Sequence, residues 1–393
     1  MNDLRGLRIY LVSNATGGEF LHLARVTQLI GCRIYFFWDS LTNEPNVGLE
    51  EFPAYCLVAF KLVRIVERTL DKMQPNLGSR ISLSKVLFTK VLISRYRIPD
   101  GEGVNLVSTG FMPLPKGRRI LAYVLTPPRE ITNSHNGMVS NPNIPSFMKL
   151  LLPMYRAVYW WIYAKSLGNA SAVVTNSATV QRRLKKHFQV DSEVLFPSID
   201  IEEFTNLGYH KYFLHVSRLQ REKRQEYAIA SFERFLIERK DFSLVMAGTW
   251  GYNLEDSRLY LKQLQLHVEE KKLPVRFVVN PARKELLDLY ANAYACLFTA
   301  EEEDFGLVPL EAMASGKPVI SVNEGGPTET IIDGVDGFLV DNANQMTEKM
   351  LYLARSPSVT ERMGREGQRH VRAKFSDQIF RERLDGIIER MKK

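Results

Sequence analysis

Short apolar runs alternate with segments of helical period along most of the chain. In the first half, the runs at 7–13, 33–38, 104–108, 120–125, 172–175 and 193–196 predict buried strands. Apolar spacing near 3.6 residues predicts helices at 19–30, 55–71 and 177–188. The second half repeats the pattern more cleanly. Strands are expected at 212–216, 242–247, 275–279, 295–298, 318–322 and 337–340, and helices at 225–238, 256–271, 283–291, 309–314 and 346–355. Strands separated by helical crossovers imply parallel sheets. The fold class is therefore α/β, with two Rossmann-like, doubly wound parallel-sheet domains. The turn-rich, aperiodic stretch 197–208 is the expected connection. Two such domains would bind ligand at their strand ends, in a central cleft.

Composition adds limits. A chain of 393 residues, 45% hydrophobic and 24% charged, suits two globular domains and not a disordered one. Its most apolar stretch, 147–167, is broken by Lys149, Pro153, Arg156 and Lys165, so a spanning helix is not expected. Cys32, Cys56 and Cys296 are an odd set without metal-ligand spacing, as in a reducing compartment, so a cytoplasmic location is expected. The net charge of +8 belongs to the first half, since residues 52–190 hold 20 basic and 5 acidic side chains. That half should face something anionic, such as a membrane surface or a lipid pyrophosphate. No aromatic-basic module supports nucleic acid as a partner. The segment 155–161, rich in aromatic residues and containing Arg156, fits a membrane interface or a core helix equally.

The chemistry concentrates after the strands of the second half. An acidic loop at 301–304 precedes Phe305-Gly306-Leu307-Val308-Pro309, where Gly306 permits close backbone approach and Pro309 suits a first helical turn. A helix start there can take phosphate oxygens. Glu311 offers two oxygens to the paired hydroxyls of a ribose, and Glu303 can reach a hydroxyl of a sugar. Asn323-Glu324-Gly325-Gly326-Pro327 makes a second Gly-rich turn at the next strand end, and Arg218 with Lys223 supplies two cations after the first strand. In the first half, Asn14-Ala15-Thr16-Gly17-Gly18-Glu19 makes a further Gly-rich loop.

These segments together resemble the retaining glycosyltransferases of group 1, also called family four, which have the two-domain GT-B architecture. Carrying the resemblance are Glu303 and Glu311 at their seven-residue separation, FGLVPLEAMASGKPVI, the Gly-Gly turn, Glu329, Asp333-Gly334, the run from Gly337 to Val340, and SRLQREKR. It implies an acceptor-binding domain over 1–204, with the last helix, 376–393, packing back on it. It also implies a nucleotide-sugar-binding domain over 205–375. By the same resemblance Arg218, Lys223 and Glu303 are catalytic, and the donor site holds Gly17, Gly18, Arg218, Lys223, Glu303, Asp304, Phe305, Gly306, Leu307, Val308, Glu311, Gly325 and Gly326. No metal and no cofactor is expected. The EEDFG and VNEGGPTE stretches look most like mannosyltransferases that extend lipid-linked oligosaccharides or O-antigen units. The implied donor is GDP-mannose, with a UDP-hexose as competitor, and the implied acceptor is polyprenyl-linked or a glycan. Peripheral contact with the inner face of the cell membrane goes with such an acceptor.

One departure stands out. The family's His before the turn Thr126-Pro127-Pro128-Arg129 is here Leu125, with His22 and His135 as candidate substitutes. Two other readings share the architecture: a nucleotide-sugar epimerase or phosphorylase, and a binding protein that keeps the donor pocket without turnover.

Overall fold

A computed structural model describes residues 8–11, 33–36, 104–109, 113–128, 146–251 and 253–392. The helices predicted at 19–30 and 55–71, together with Gly17, Gly18, His22 and His135, lie outside the described residues. The chain falls into two compact units, Met1–Leu195 with Arg381–Lys393, and Phe196–Phe380.

The first unit contains β1 (Arg8–Leu11), β2 (Arg33–Phe36), β3 (Asn105–Thr109), β4 (Ile120–Val124), α1 (Ser146–Leu167), β5 (Ala172–Thr175), α2 (Ala178–Phe188) and β6 (Glu193–Val194). Its sheet runs β2-β1-β3-β4-β5-β6, with every pair parallel. All five residues of β4 are buried, as a strand covered on both faces requires. Ile120, Ala122 and Val124 pack with Tyr155, Tyr159 and Tyr163 of α1 and with Val180, Leu184 and Phe188 of α2. On α2 the apolar residues recur every four positions, and Ser177 caps the helix by accepting from the Val180 amide at 3.1 Å.

The second unit contains β7 (Tyr212–Val216), α3 (Gln225–Phe235), β8 (Ser243–Gly248), α4 (Leu254–Glu270), β9 (Val275–Val279), α5 (Arg283–Asn292), β10 (Ala295–Phe298), α6 (Leu307–Ala314), β11 (Val319–Val322), α7 (Pro327–Thr330), β12 (Gly337–Val340), α8 (Ala343–Arg355) and α9 (Pro357–Lys374). One further helix, α10 (Asp377–Lys392), closes the chain. The second sheet is parallel in the order β9-β8-β7-β10-β11-β12. Counted within the unit this is 3-2-1-4-5-6, so the topological switch lies between β7 and β10. Alternation along the strands divides the core. Phe213, Leu244 and Met246 face Phe232 and Phe235 of α3, while Leu214, Val216, Val245 and Ala247 face Leu310 and Met313 of α6. The turn-rich stretch 197–208 is packed against this unit. Ile199, Ile201 and Phe204 are buried in its core, and the Ile199 amide donates to the Phe375 carbonyl at 3.1 Å.

Helix α9 is an addition to the expected elements. Glycines within it argue against a helix locally, yet tertiary contact requires them. A Cβ on Gly364 would lie 2.1 Å from the Gly316 carbonyl oxygen, and one on Gly367 would lie 3.1 Å from Met313 Cβ. These glycines let α9 press against the end of α6.

Candidate functional site

The loops after β7 and β10 open at the switch point, and buried polar contacts tie them together. Thr299, fully buried at the end of β10, has its Oγ1 2.7 Å from the Lys223 carbonyl and 3.0 Å from that of Arg224. His215 of β7 approaches the same hydroxyl at 2.9 Å through Nε2. Burial, with help from the nearby Lys223 charge, lowers the His215 pKa to about 4, so this imidazole is neutral at physiological pH. A neutral ring with its proton on Nε2 can donate to Thr299, leaving the threonine hydroxyl to bond the loop carbonyls. Arg224 adopts φ 48° and reaches both neighbours, donating through Nε to the Thr299 carbonyl at 2.8 Å and through a terminal nitrogen to Glu324 at 2.9 Å. Gln225, also buried, holds the loop from below by donating to Ser217 Oγ at 2.8 Å and to the Arg218 carbonyl at 2.7 Å.

Two of the expected site residues meet directly. Lys223 Nζ lies 2.5 Å from Glu303 Oε2, with the two side chains 17% and 22% exposed. Each charge neutralises the other while both keep access to solvent. The 301–306 loop is clamped against the Gly-rich turn. The Gly326 amide donates to the Glu303 carbonyl at 2.7 Å. Gly325 has φ 63°, and a Cβ there would sit 2.3 Å from the Glu303 carbonyl oxygen, while one on Gly326 would sit 2.2 Å from that of Phe305. Only glycine permits this approach.

Gly306, with φ 86°, is the N-cap of α6. The helix thus starts at Leu307, ahead of the expected 309, and Pro309 falls within its first turn. The amides of Leu307 and Val308 have no acceptor within the helix, as at any helix start. One turn in, Glu311 accepts from Tyr290 at 2.8 Å, and Arg283 lies 3.4 Å from its other oxygen while bonding Glu203 at 2.6 Å. Burial raises the Glu311 pKa, and Arg283 opposes that shift. Its carboxylate is held in a fixed orientation, with 17% of the side chain exposed.

The remaining expected residues fall differently. Asp304 is buried. Phe305 turns into the core, with ring centroids 5.8 Å from Phe196 and 6.0 Å from Phe375, which leaves its backbone alone facing the loop. Leu307 and Val308 pack partly against the same core. The Arg218 side chain is partly buried. In the first unit Leu125 is buried directly after β4. Among the described residues no cluster of His, Cys, Asp or Glu is arranged to hold a metal ion.

The sequence profile of "Glycosyl transferases group 1" matches residues 200–370, the segment that holds Lys223, Glu303, Glu311 and the Gly-rich turn. Through residues 200–370 the chain matches the group 1 glycosyltransferases. This is a family of retaining hexosyltransferases. Similar curated proteins include the alpha-1,3/1,6-mannosyltransferase ALG2 of Dictyostelium discoideum, 27% identical over 63% of this chain and 68% of that protein. Human ALG2 is 30% identical over 63% of this chain and 64% of its own length. The match thus spans about two thirds of these relatives. Among solved structures, sucrose-phosphate synthase from Thermosynechococcus elongatus superposes with a TM-score of 0.66 at 17% identity, covering 98% of this chain and 99% of that one. The Anabaena protein HepE, solved in complex with UDP and glucose, gives 0.63 at 16% identity with the same coverage. Both likenesses are of fold, the GT-B architecture.

Several groups that organise this glycosyltransferase site carried no local signal. His215 and Thr299 sit inside or beside apolar strand runs, and Gln225 and Tyr290 inside helical ones. Arg224 and Glu324 lie within segments already singled out, but no role is legible for either. Arg283 lies far from Glu311 in sequence and meets it only through folding, as does Glu203, which bonds Arg283.

Proposed function

We propose that this chain transfers a hexose, with mannose preferred, from a nucleotide sugar to a lipid-linked or glycan acceptor with retention of anomeric configuration. The observation that carries this reading is the Lys223–Glu303 pair at 2.5 Å, beside a Gly-capped helix that presents Glu311 one turn in. In this reading Glu311 accepts from the ribose hydroxyls. The start of α6 and Arg218 take the diphosphate. The Lys223 ammonium has three N–H donors, so it can keep Glu303 as one partner and turn another donor to a phosphate oxygen. A Glu303 oxygen can then accept from a hydroxyl of the transferred sugar. As the glycosidic bond breaks, the leaving diphosphate gathers charge, and these fixed donors stabilise it without reorganising. The acceptor hydroxyl attacks from the face the diphosphate leaves, and its proton passes to the leaving phosphate. No step requires a metal.

Resemblance to ALG2 mannosyltransferases favours a mannosyl donor with GDP as nucleotide, while the UDP bound to HepE keeps a UDP-hexose as the competing donor. Buried Leu125, where the family has a histidine, favours a second reading, a donor-binding protein without turnover. A thermal-shift panel of GDP- and UDP-sugars, followed by transfer assays with polyprenyl-pyrophosphate acceptors, separates the two. Stabilisation by GDP-mannose together with transfer supports the enzyme. Stabilisation without transfer across the acceptor panel supports the binding protein, and no stabilisation by any nucleotide sugar defeats both.

A further inference from the structure

Helix α1 has one buried face and one open apolar face. Tyr155, Tyr159, Ile162, Tyr163 and Leu167 are buried against the first sheet. On the opposite side Met154 is 62% exposed, Val158 39%, Trp160 42% and Trp161 57%. Met154, Val158, Trp161 and Lys165 follow one another at spacings of four, three and four residues, which places them on a single stripe of the helix. Isolated exposed apolar residues are ordinary, but a continuous stripe that includes Trp161, with exposed Trp160 on its flank, marks an interaction surface.

The surroundings specify the partner. Lys165 lies over the Trp161 ring with Nζ 4.9 Å from its centroid. Trp160 is fixed toward α2, donating its indole N–H to the His187 carbonyl at 3.1 Å and stacking on Phe188 at 6.2 Å. That contact makes α1 and the C-terminal turn of α2 one surface, to which α2 adds Arg182, Arg183, Lys185 and Lys186. Between Glu130 and Asp191 the chain has seven Lys and Arg residues and neither Asp nor Glu. The acids just beyond are already engaged. Asp191 pairs with Lys185 at 2.7 Å, and Glu193 with Arg390 at 2.5 Å.

We infer that the outer face of α1, with the basic turn of α2 beside it, docks the chain onto an anionic lipid surface. The tryptophans and Met154 would enter the boundary between headgroups and acyl chains, and Lys165, Lys186 and their neighbours would meet lipid phosphates. Such a helix lies in the interface and does not cross it. No helix among the described residues is long and apolar enough to span a membrane, and the other face of α1 is committed to the core. A nucleic acid would want its cations distributed along the stripe, whereas here the stripe is apolar and the cations flank it. This inference rests on the geometry of α1 and α2 and is independent of the donor site.

The test is cosedimentation of the full chain with vesicles, either pure phosphatidylcholine or an equal mixture with phosphatidylglycerol, at low and high salt. The expected result is binding to the mixed vesicles, at least about tenfold weaker on pure phosphatidylcholine, with a blue shift of tryptophan emission. Trp161→Ser combined with Met154→Ser should weaken binding about tenfold or more. Lys165→Glu combined with Lys186→Glu should abolish the preference for anionic lipid. Both variants should keep the wild-type melting temperature and nucleotide-sugar binding. The inference is overturned if the folded wild-type chain does not sediment with mixed vesicles, or if the Trp161/Met154 variant binds them as well as wild type. It is also overturned if the stripe instead mediates a dimer lost in that variant, or binds single-stranded RNA but not vesicles. The vesicles carry neither donor nor acceptor, so failure here leaves the transferase reading untouched, and failure of transfer leaves this one untouched.

Discussion

The strand ends of the second unit and the outer face of α1 handle unpaired chemistry in opposite ways. At the strand ends, polar groups are held by one another. Thr299 bridges two loop carbonyls, Arg224 joins two loops, and Lys223 is matched to Glu303. On α1, Met154, Val158 and Trp161 stay exposed to solvent, with Lys165 over the Trp161 ring. A site that must recognise a small charged molecule needs donors and acceptors fixed before the ligand arrives, because reorganising them would cost part of the binding energy. A site that must rest on a fluid, extended surface needs apolar area and nearby charge but little geometric precision. The difference lies in the polar bonding and not in hydrophobic content alone.

Experiments that perturb the polar side should separate binding from chemistry. The largest effect is expected from Lys223→Ala, which removes the cation proposed to meet the leaving diphosphate. Its kcat should fall by about a hundredfold to a thousandfold, with a much smaller change in donor KM. An unchanged kcat would remove Lys223 from the proposed machinery. His215 should make folding pH-dependent. Its pKa falls from 6.5 to about 4 on folding, so the unfolded chain binds the extra proton between those values. Stability from this group is complete above pH 6.5 and is lost as the pH falls through about 4, on the order of 3 kcal/mol. Denaturant melts of wild type and His215→Gln across that range should converge at acid pH, and parallel curves would refute the assignment.

Glu311→Ala should raise donor KM about tenfold to a hundredfold with kcat nearly preserved, the pattern of a lost contact to the bound substrate. Equal losses in kcat and kcat/KM would move Glu311 into the chemical step. A comparison of glycines gives the smallest effects. Gly326→Ala places a methyl 2.2 Å from the Phe305 carbonyl oxygen and should cost about 2 kcal/mol of stability. Gly334→Ala meets nothing within 4 Å, though φ is 75°, and should cost about 1 kcal/mol from backbone strain alone. Melting temperatures that do not separate the two would argue against a clamp between the Gly-rich turn and the 303–305 loop.

Much of the second unit was legible because its inner strands are buried on both faces, so apolar runs such as 212–216 and 295–298 mark them without tertiary knowledge. Local rules failed where packing overrides them. Helix α9 was hidden by Gly364 and Gly367, whose lack of side chain is the reason α9 can approach α6. Phe305 stood within a site motif, yet its ring serves the core, because a residue between two functional neighbours can point its side chain away from both.

The sequence by itself determined the α/β alternation and the family motifs, since each depends on local periodicity or on residues contiguous in the chain. Only the tertiary structure decided that Lys223 faces Glu303, that Arg283 and Tyr290 orient Glu311, and that one stripe of α1 stays uncovered. Those facts depend on distances between segments remote in sequence, which are set when the sheet and its helices pack and not before.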